Sequence, residues 1–166
     1  MTNSLIIKQA IRTDVPVILQ FIKELAEYEK LDHEVVATEE GLTKALFGEK
    51  PYAEVIIGYL DSEPVSFGLF FHNFSTFLGK PGIYLEDLFV KPNARGKGVG
   101  QKMLCYLAQL AKERDCGRLE WSVLNWNEPA IGFYQSLGAK PMNEWTVYRV
   151  TGQALDDLAT SSRRSR

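Results

Sequence analysis

The chain of 166 residues is long enough to bury one sizeable core, and its 45% hydrophobic and 24% charged content is that of an ordinary water-soluble domain. A net charge of -2 argues against a general nucleic-acid binder, which carries a basic face. No apolar run approaches the ~20 residues of a membrane helix, and Met1-Thr2-Asn3-Ser4 lacks a basic n-region, so a cytoplasmic protein without nucleic-acid or membrane partners is expected.

In chain order, Leu5 to Ile11 alternates and predicts a first strand. Thr13 is placed to cap the next helix, with Pro16 tolerated in its first turn. In that helix Ile18, Ile22 and Leu25 share one face, and the pattern fades near Tyr28-Glu29. Thr38 opens a second, shorter helix that ends at Gly48. Ala53 to Leu60 and Val65 to His72 flank Asp61-Ser62-Glu63-Pro64, which predicts an antiparallel hairpin. A second turn over Phe77 to Pro81 leads to a strand from Ile83 to Val90. A helix from Val99 to Arg114 follows, with Met103, Leu104, Leu107, Leu110 and Ala111 inward and Gly117 as its stop. Arg118 to Leu124 reads as a fifth strand, Asn127 to Leu137 as a helix closed by Gly138, and Trp145 to Val150 as a last strand. The order β-α-α-β-β-β-α-β-α-β is mixed α+β, with one domain over 1–152 and a polar, partly disordered tail over 153–166. Cys105 reads as helix interior; with Cys116 it supports no disulfide framework, and His33 and His72 are isolated, so no metal site is expected.

The chemistry-bearing stretch is Tyr84-Leu85-Glu86-Asp87-Leu88-Phe89-Val90-Lys91-Pro92-Asn93-Ala94-Arg95-Gly96-Lys97-Gly98-Val99-Gly100. An apolar strand passes through a proline into alternating glycines that open a helix. Glycine lets the chain curl so that its amide N–H groups face one hollow, shared with the positive end of the helix dipole. Such a hollow receives a pyrophosphate. A Walker loop is excluded because Gly96-Lys97 is followed by Gly98 rather than Ser or Thr. A dinucleotide fingerprint fits poorly: the spacing is G-x-G-x-G, past mid-chain, behind antiparallel strands. The third pattern, R-x-x-G-x-G after an apolar strand, is met by Arg95, Gly98 and Gly100.

That third pattern resembles the acyl-CoA loop of the Gcn5-related N-acetyltransferases. Asn127-Glu128-Pro129-Ala130-Ile131-Gly132-Phe133-Tyr134 is similar to the family's second motif, N-x-x-A-x-x-F-Y, one helix and one strand further on. Ile22 to Glu29, Tyr84 to Asp87 and Trp126 to Pro129 resemble its spermidine/spermine (diamine) acetyltransferase branch. The resemblance implies a largely antiparallel sheet flanked by helices, with a splayed parallel pair forming the acyl-CoA cleft. It also implies a homodimer that moves acetyl from acetyl-CoA to a primary amine of a small cationic substrate, a polyamine or a lysine-like amino acid. A protein or peptide acetyltransferase and a non-catalytic acyl-CoA-binding regulator remain as alternatives.

By the same resemblance Leu88, Phe89 and Val90 offer backbone to the pantetheine arm, Arg95, Gly96, Lys97, Gly98, Val99, Gly100 and Gln101 hold the diphosphate, and Asn127, Glu128, Pro129 and Ala130 complete the cofactor side. Tyr134 is the candidate general acid; periodicity alone reads it equally as a packing aromatic. Glu86 is the candidate base, through water, with a solvated strand-end charge as the alternative. Glu86 and Asp87 point to opposite faces of a regular strand, so only one faces the site unless a bulge intervenes. Tyr28, Glu29, Asp87, Glu120, Trp121, Ser122 and Glu144 are candidate contacts to the amine substrate; Tyr28 and Glu29 read equally as surface helix residues, and Asn127 also reads as the cap of its helix.

Overall fold

Five of the apolar segments pair into one sheet in the computed structural model, which describes residues 4–161. Two units divide the chain, Met1–Leu124 and Asn125–Arg166. In the first, β1 (Ile6–Gln9), β2 (Glu54–Leu60), β3 (Glu63–Ser75) and β4 (Lys80–Val90) run antiparallel in spatial order. β5 (Leu119–Trp121) adds to β4 in parallel. The mixed, mostly antiparallel α+β class is as expected.

Residue parity decides which helix covers which face. α1 (Val15–Tyr28) and α2 (Glu39–Phe47) supply Ile18, Phe21, Leu25 and Leu46 to a core with Val55, Ile57, Phe67 and Phe89. Phe21 stacks on Phe67 at 5.2 Å between ring centroids and meets Phe89 edge-on at 6.3 Å. Such pairs contribute about 0.5–1.5 kcal/mol beyond the area they bury. The opposite parity, with buried Ile56, Phe70, Ile83 and Leu85, faces the apolar stripe Met103, Leu104, Leu107 and Ala111 of α3 (Val99–Glu113).

Turn chemistry shortens the predicted loops. Asp61 and Ser62 both hold positive φ, 49° and 67°, which makes a two-residue turn whose twist matches the strands. Glu63 and Pro64 therefore belong to β3, opposite Leu60 and Tyr59. Residues 76–79 form the next turn, and Pro81 is already in β4 opposite Phe74. α3 ends before Gly117: Asp115 takes φ 54°, and the Cys116 amide reaches back to the Ala111 carbonyl at 2.8 Å. Cys105 is exposed rather than interior, because it falls between the Met103/Leu104 and Leu107 positions on the outer side of α3.

The second unit holds α4 (Glu128–Ser136) and α5 (Gly152–Ser161). Asn127 caps α4, its side-chain oxygen accepting from the Ala130 amide at 3.4 Å. Gly138, φ 86°, ends the helix as predicted, with Gly138 and Ala139 amides donating to Gln135 and Tyr134 carbonyls. Trp145 to Val150 is not a strand: its β-branched and aromatic residues suit one, but among the described residues nothing pairs with it, and a strand exists only in a ladder. Helix α5 occupies the start of the segment expected to be a disordered tail; residues 162–166 of that expectation lie outside the described residues.

Candidate active site

β4 outruns its parallel neighbour. The β4–β5 ladder pairs Ile83 with Leu119, Tyr84 with Glu120 and Leu85 with Trp121, and stops there. β4 continues to Val90, paired with β3 on its other side alone among the described residues. The edge from Glu86 to Val90, including Leu88, Phe89 and Val90, thus carries backbone donors and acceptors that no ladder takes up. An extended chain can lie along such an edge as an added strand.

A bulge sits where this open edge begins. Phe70 pairs with Leu85 but Leu69 pairs with Asp87, which leaves Glu86 as the extra residue. The bulge reverses the parity of the rest of β4, so Leu85 packs on the α3 face while Phe89, four residues on, packs beside Phe67 and α1. Glu86 is exposed, and Asp87 turns inward opposite Leu69. Burial, then the charges of Glu86 and Glu29, push the Asp87 carboxyl up to about 6. Burial also raises Glu29, the residue closing α1. The charges of Glu86 and Glu29 thus both act on Asp87, and the bulge is what sets exposed Glu86 beside it.

Past β4, a short 3-10 turn over Pro92–Ala94 leads into the glycine loop. Gly96 and Gly98 take φ of 75° and 76°, and a Cβ at either would meet nothing within 4 Å, so the space beside each is open. Val99 is buried and anchors the start of α3, whose first turn contains no acidic residue and no side-chain cap. Lys97 and Gln101 are exposed beside it, and Gly100 is half-buried. The Arg95 side chain runs sideways toward α1. Its Nε donates to the Val90 carbonyl at 2.9 Å, and its guanidinium lies 4.9 Å from the Tyr28 ring centroid and 5.4 Å from that of Phe89.

Other sequence candidates are engaged by neighbours. Glu120 is held by Arg118 Nε at 2.7 Å and accepts from Asn73 Nδ2 at 3.0 Å. Ser122 Oγ and Tyr84 Oη are 2.6 Å apart, and Trp121 ends the β5 ladder. In the second unit Tyr134 is half-buried on α4 with its ring 5.6 Å from that of Phe133; Glu128 and Pro129 form the first turn, and Glu144 is exposed in a turn. Glu24 and Glu27, on α1, were not singled out from the sequence and line a groove with Lys91 and Arg95.

The Acetyltransferase (GNAT) family profile matches residues 19–139. The chain belongs to the GNAT acetyltransferase family. It is 38% identical over 164 residues to the thialysine N-epsilon-acetyltransferase of Bos taurus, covering 92% of this chain and 96% of that one. Identity to the L-ornithine N5-acetyltransferase NATA1 of Arabidopsis thaliana is 33%, with 92% and 86% covered. The human spermidine/spermine N(1)-acetyltransferase-like protein 1 is 30% identical over 92% of this chain, which is 23% of that protein. Among solved structures, the integron cassette protein VCH_CASS6 of V. cholerae aligns with a TM-score of 0.79 and 30% identity, covering 94% of this chain and 98% of that one. GNAT enzymes take their acetyl group from acetyl-CoA, and this chain fits that molecule: a positive-φ glycine loop with open space beside it, leading into a helix with no acidic residue in its first turn, suits a diphosphate, and the free edge of β4 suits its extended arm.

Proposed function

We propose that this GNAT acetyltransferase acetylates a primary amine of a small cationic substrate, a diamine or polyamine or a lysine-like amino acid, by direct attack while both substrates are bound. The observation that carries the reading is the bulge that begins the open edge of β4, which sets exposed Glu86 beside half-buried Asp87, with the charge of Glu29 also acting on Asp87. These carboxylates attract a cation and offer a place for its proton. The named activities of the relatives, on thialysine, ornithine and spermidine/spermine, support the same class of acceptor.

In this reading the amides of Gly96 to Gln101 hold the diphosphate and the backbone of Leu88, Phe89 and Val90 holds the extended arm, with Asn127 to Ala130 as the further cofactor contacts that the family resemblance implies. Bound acetyl-CoA supplies the carbonyl that the neutral amine attacks and the sulfur that leaves. Glu86, exposed at the bulge, takes the ammonium proton directly or through water. Asp87, whose proton affinity lies close to neutrality, shares that load and pairs with the cation. The Tyr134 phenol gives its proton to the departing sulfur. Holding the two reactants together is worth about 10⁵–10⁸ M in effective molarity, so no covalent intermediate is needed.

The proposal includes a cytoplasmic homodimer. Two cysteines without a disulfide suit a reducing compartment. Exposed Trp145, Val147 and Tyr148 in the second unit suit burial against another copy. Thiol release from acetyl-CoA, measured against putrescine, spermidine, lysine, ornithine, thialysine and a set of lysine peptides, tests the reaction. Turnover of the small amines is expected. Turnover of peptides alone, or acetyl-CoA binding without turnover of any amine, would overturn it.

A further inference from the structure

A groove of about 540 Å³ lies between the last two turns of α1 and the connection from β4 to α3, within the size range of small-molecule sites. Glu24 and Glu27 line it from α1, Lys91 and Arg95 from the connection, and the Tyr28 and Phe89 rings lie between them. Two carboxylates and two cations thus share one groove, yet no ion pair joins them among the described residues. Each cation is held elsewhere. Lys91 Nζ sits 5.4 Å from the Phe21 ring centroid, and Arg95 is fixed by Val90, Tyr28 and Phe89 through its Nε and its guanidinium plane. Glu24 accepts from Gln20 through one oxygen at 3.3 Å, while its other oxygen is shut from solvent without a hydrogen-bond partner. Such an oxygen is costly unless something donates to it.

Opposite charges held apart across one groove fit a ligand that carries both signs. We propose that this groove is a subsite for an α-amino-acid headgroup: Lys91 and Arg95 receive the carboxylate, and Glu24 and Glu27 receive the α-ammonium. This rests on the amine-acetyltransferase reading above and narrows its substrate class to a lysine-like amino acid. A polyamine carries only positive charge and would meet Lys91 and Arg95 as like charges.

The test compares kcat/KM of the full chain for lysine or thialysine, for the diamine left when the carboxylate is removed, and for the α-N-acetylated amino acid. The wild type is expected to prefer the free amino acid by roughly tenfold or more over either analogue, the worth of one charge-assisted hydrogen bond, expressed in KM. Lys91→Gln should erase the preference over the diamine while leaving diamine turnover intact. Glu27→Gln, on the exposed side of α1, should erase the preference over the α-blocked analogue instead. Equal or better use of the diamine by the wild type would overturn the subsite, as would equal losses on all three acceptors in either variant. Calorimetric titration with the amino acid separates the two levels of the argument. Binding that Lys91→Gln weakens, with no amine turned over, would keep the groove and sink the amine-acetyltransferase reading, whereas turnover of diamines alone would sink only the groove.

Discussion

Asp87→Asn should stabilise the protein while damaging it as an enzyme, and the pH dependence identifies the cause. The folded chain raises the Asp87 carboxyl from 3.8 to about 6, mainly by burial and then through Glu86 and Glu29. A carboxyl raised on folding holds its proton more tightly in the native state than in the unfolded one. Between about pH 4 and 6 the unfolded chain therefore binds fewer protons, and stability falls as pH rises through that window. Above it the full penalty remains, about 3 kcal/mol as an upper bound. Asparagine keeps the shape and removes the charge. Urea unfolding of both proteins at neutral pH should show the variant more stable by up to ~3 kcal/mol, with the gap closing below about pH 4. Acetyl transfer should fall in the same variant, the trade-off of a site that holds unfavourable charge for its chemistry. A gain of equal size at both pH values, or no gain, would refute the charge argument. Glu29→Gln should narrow the window by removing one of the two neighbouring charges.

Gly98→Ala meets no atom, so its cost is the left-handed backbone alone, about 1–2 kcal/mol; KM for acetyl-CoA should rise with little change in KM for the amine in steady-state kinetics. Tyr134→Phe should lower kcat by ~10²–10⁴ with acetyl-CoA affinity retained, read by turnover and by calorimetric binding. Glu54 lies 2.6 and 2.9 Å from the two terminal nitrogens of Arg114, which hold its carboxyl below the usual range. That pair contributes above about pH 4.5 and is lost as pH falls, so thermal unfolding of Glu54→Gln should show a loss of about 1 kcal/mol at neutral pH that disappears in acid.

What local pattern could reveal was where elements begin and which loop opens α3. Turn residues flanking apolar runs marked β2, β3 and β4, and the glycines that take positive φ at 96 and 98 were placed by residue type alone. What it could not reveal was pairing. Trp145 to Val150 has the residue types of a strand, yet composition without a partner makes no ladder, and β5 keeps only Leu119–Trp121 of the seven residues expected for the same reason. The cap of α3 fell to Asp115 before Gly117 was reached, since any residue that tolerates the left-handed region can close the helix two positions early.

The bulge at Glu86 is the instance with the largest consequence for function. Leu85-Glu86-Asp87-Leu88 contains no glycine, and its adjacent acids break the alternation, which leaves a bulge open without fixing that there is one or which residue is extra. Its cause is non-local. Phe21 on α1 takes Phe67 and Phe89 on the same face, while α3 takes Phe70 and Leu85 on the other. On β3 the two phenylalanines are three apart and face opposite ways; on β4 their partners are four apart and would face the same way in a regular strand. One surplus residue between Leu85 and Phe89 reconciles the two, and it is Glu86. Packing of two aromatic layers thus places the exposed carboxylate at the bulge, turns Asp87 toward Glu29, and does so where β5 has left the edge of β4 open. If that coupling holds, truncating Phe89 will disturb the proton affinity of Asp87 as well as the core.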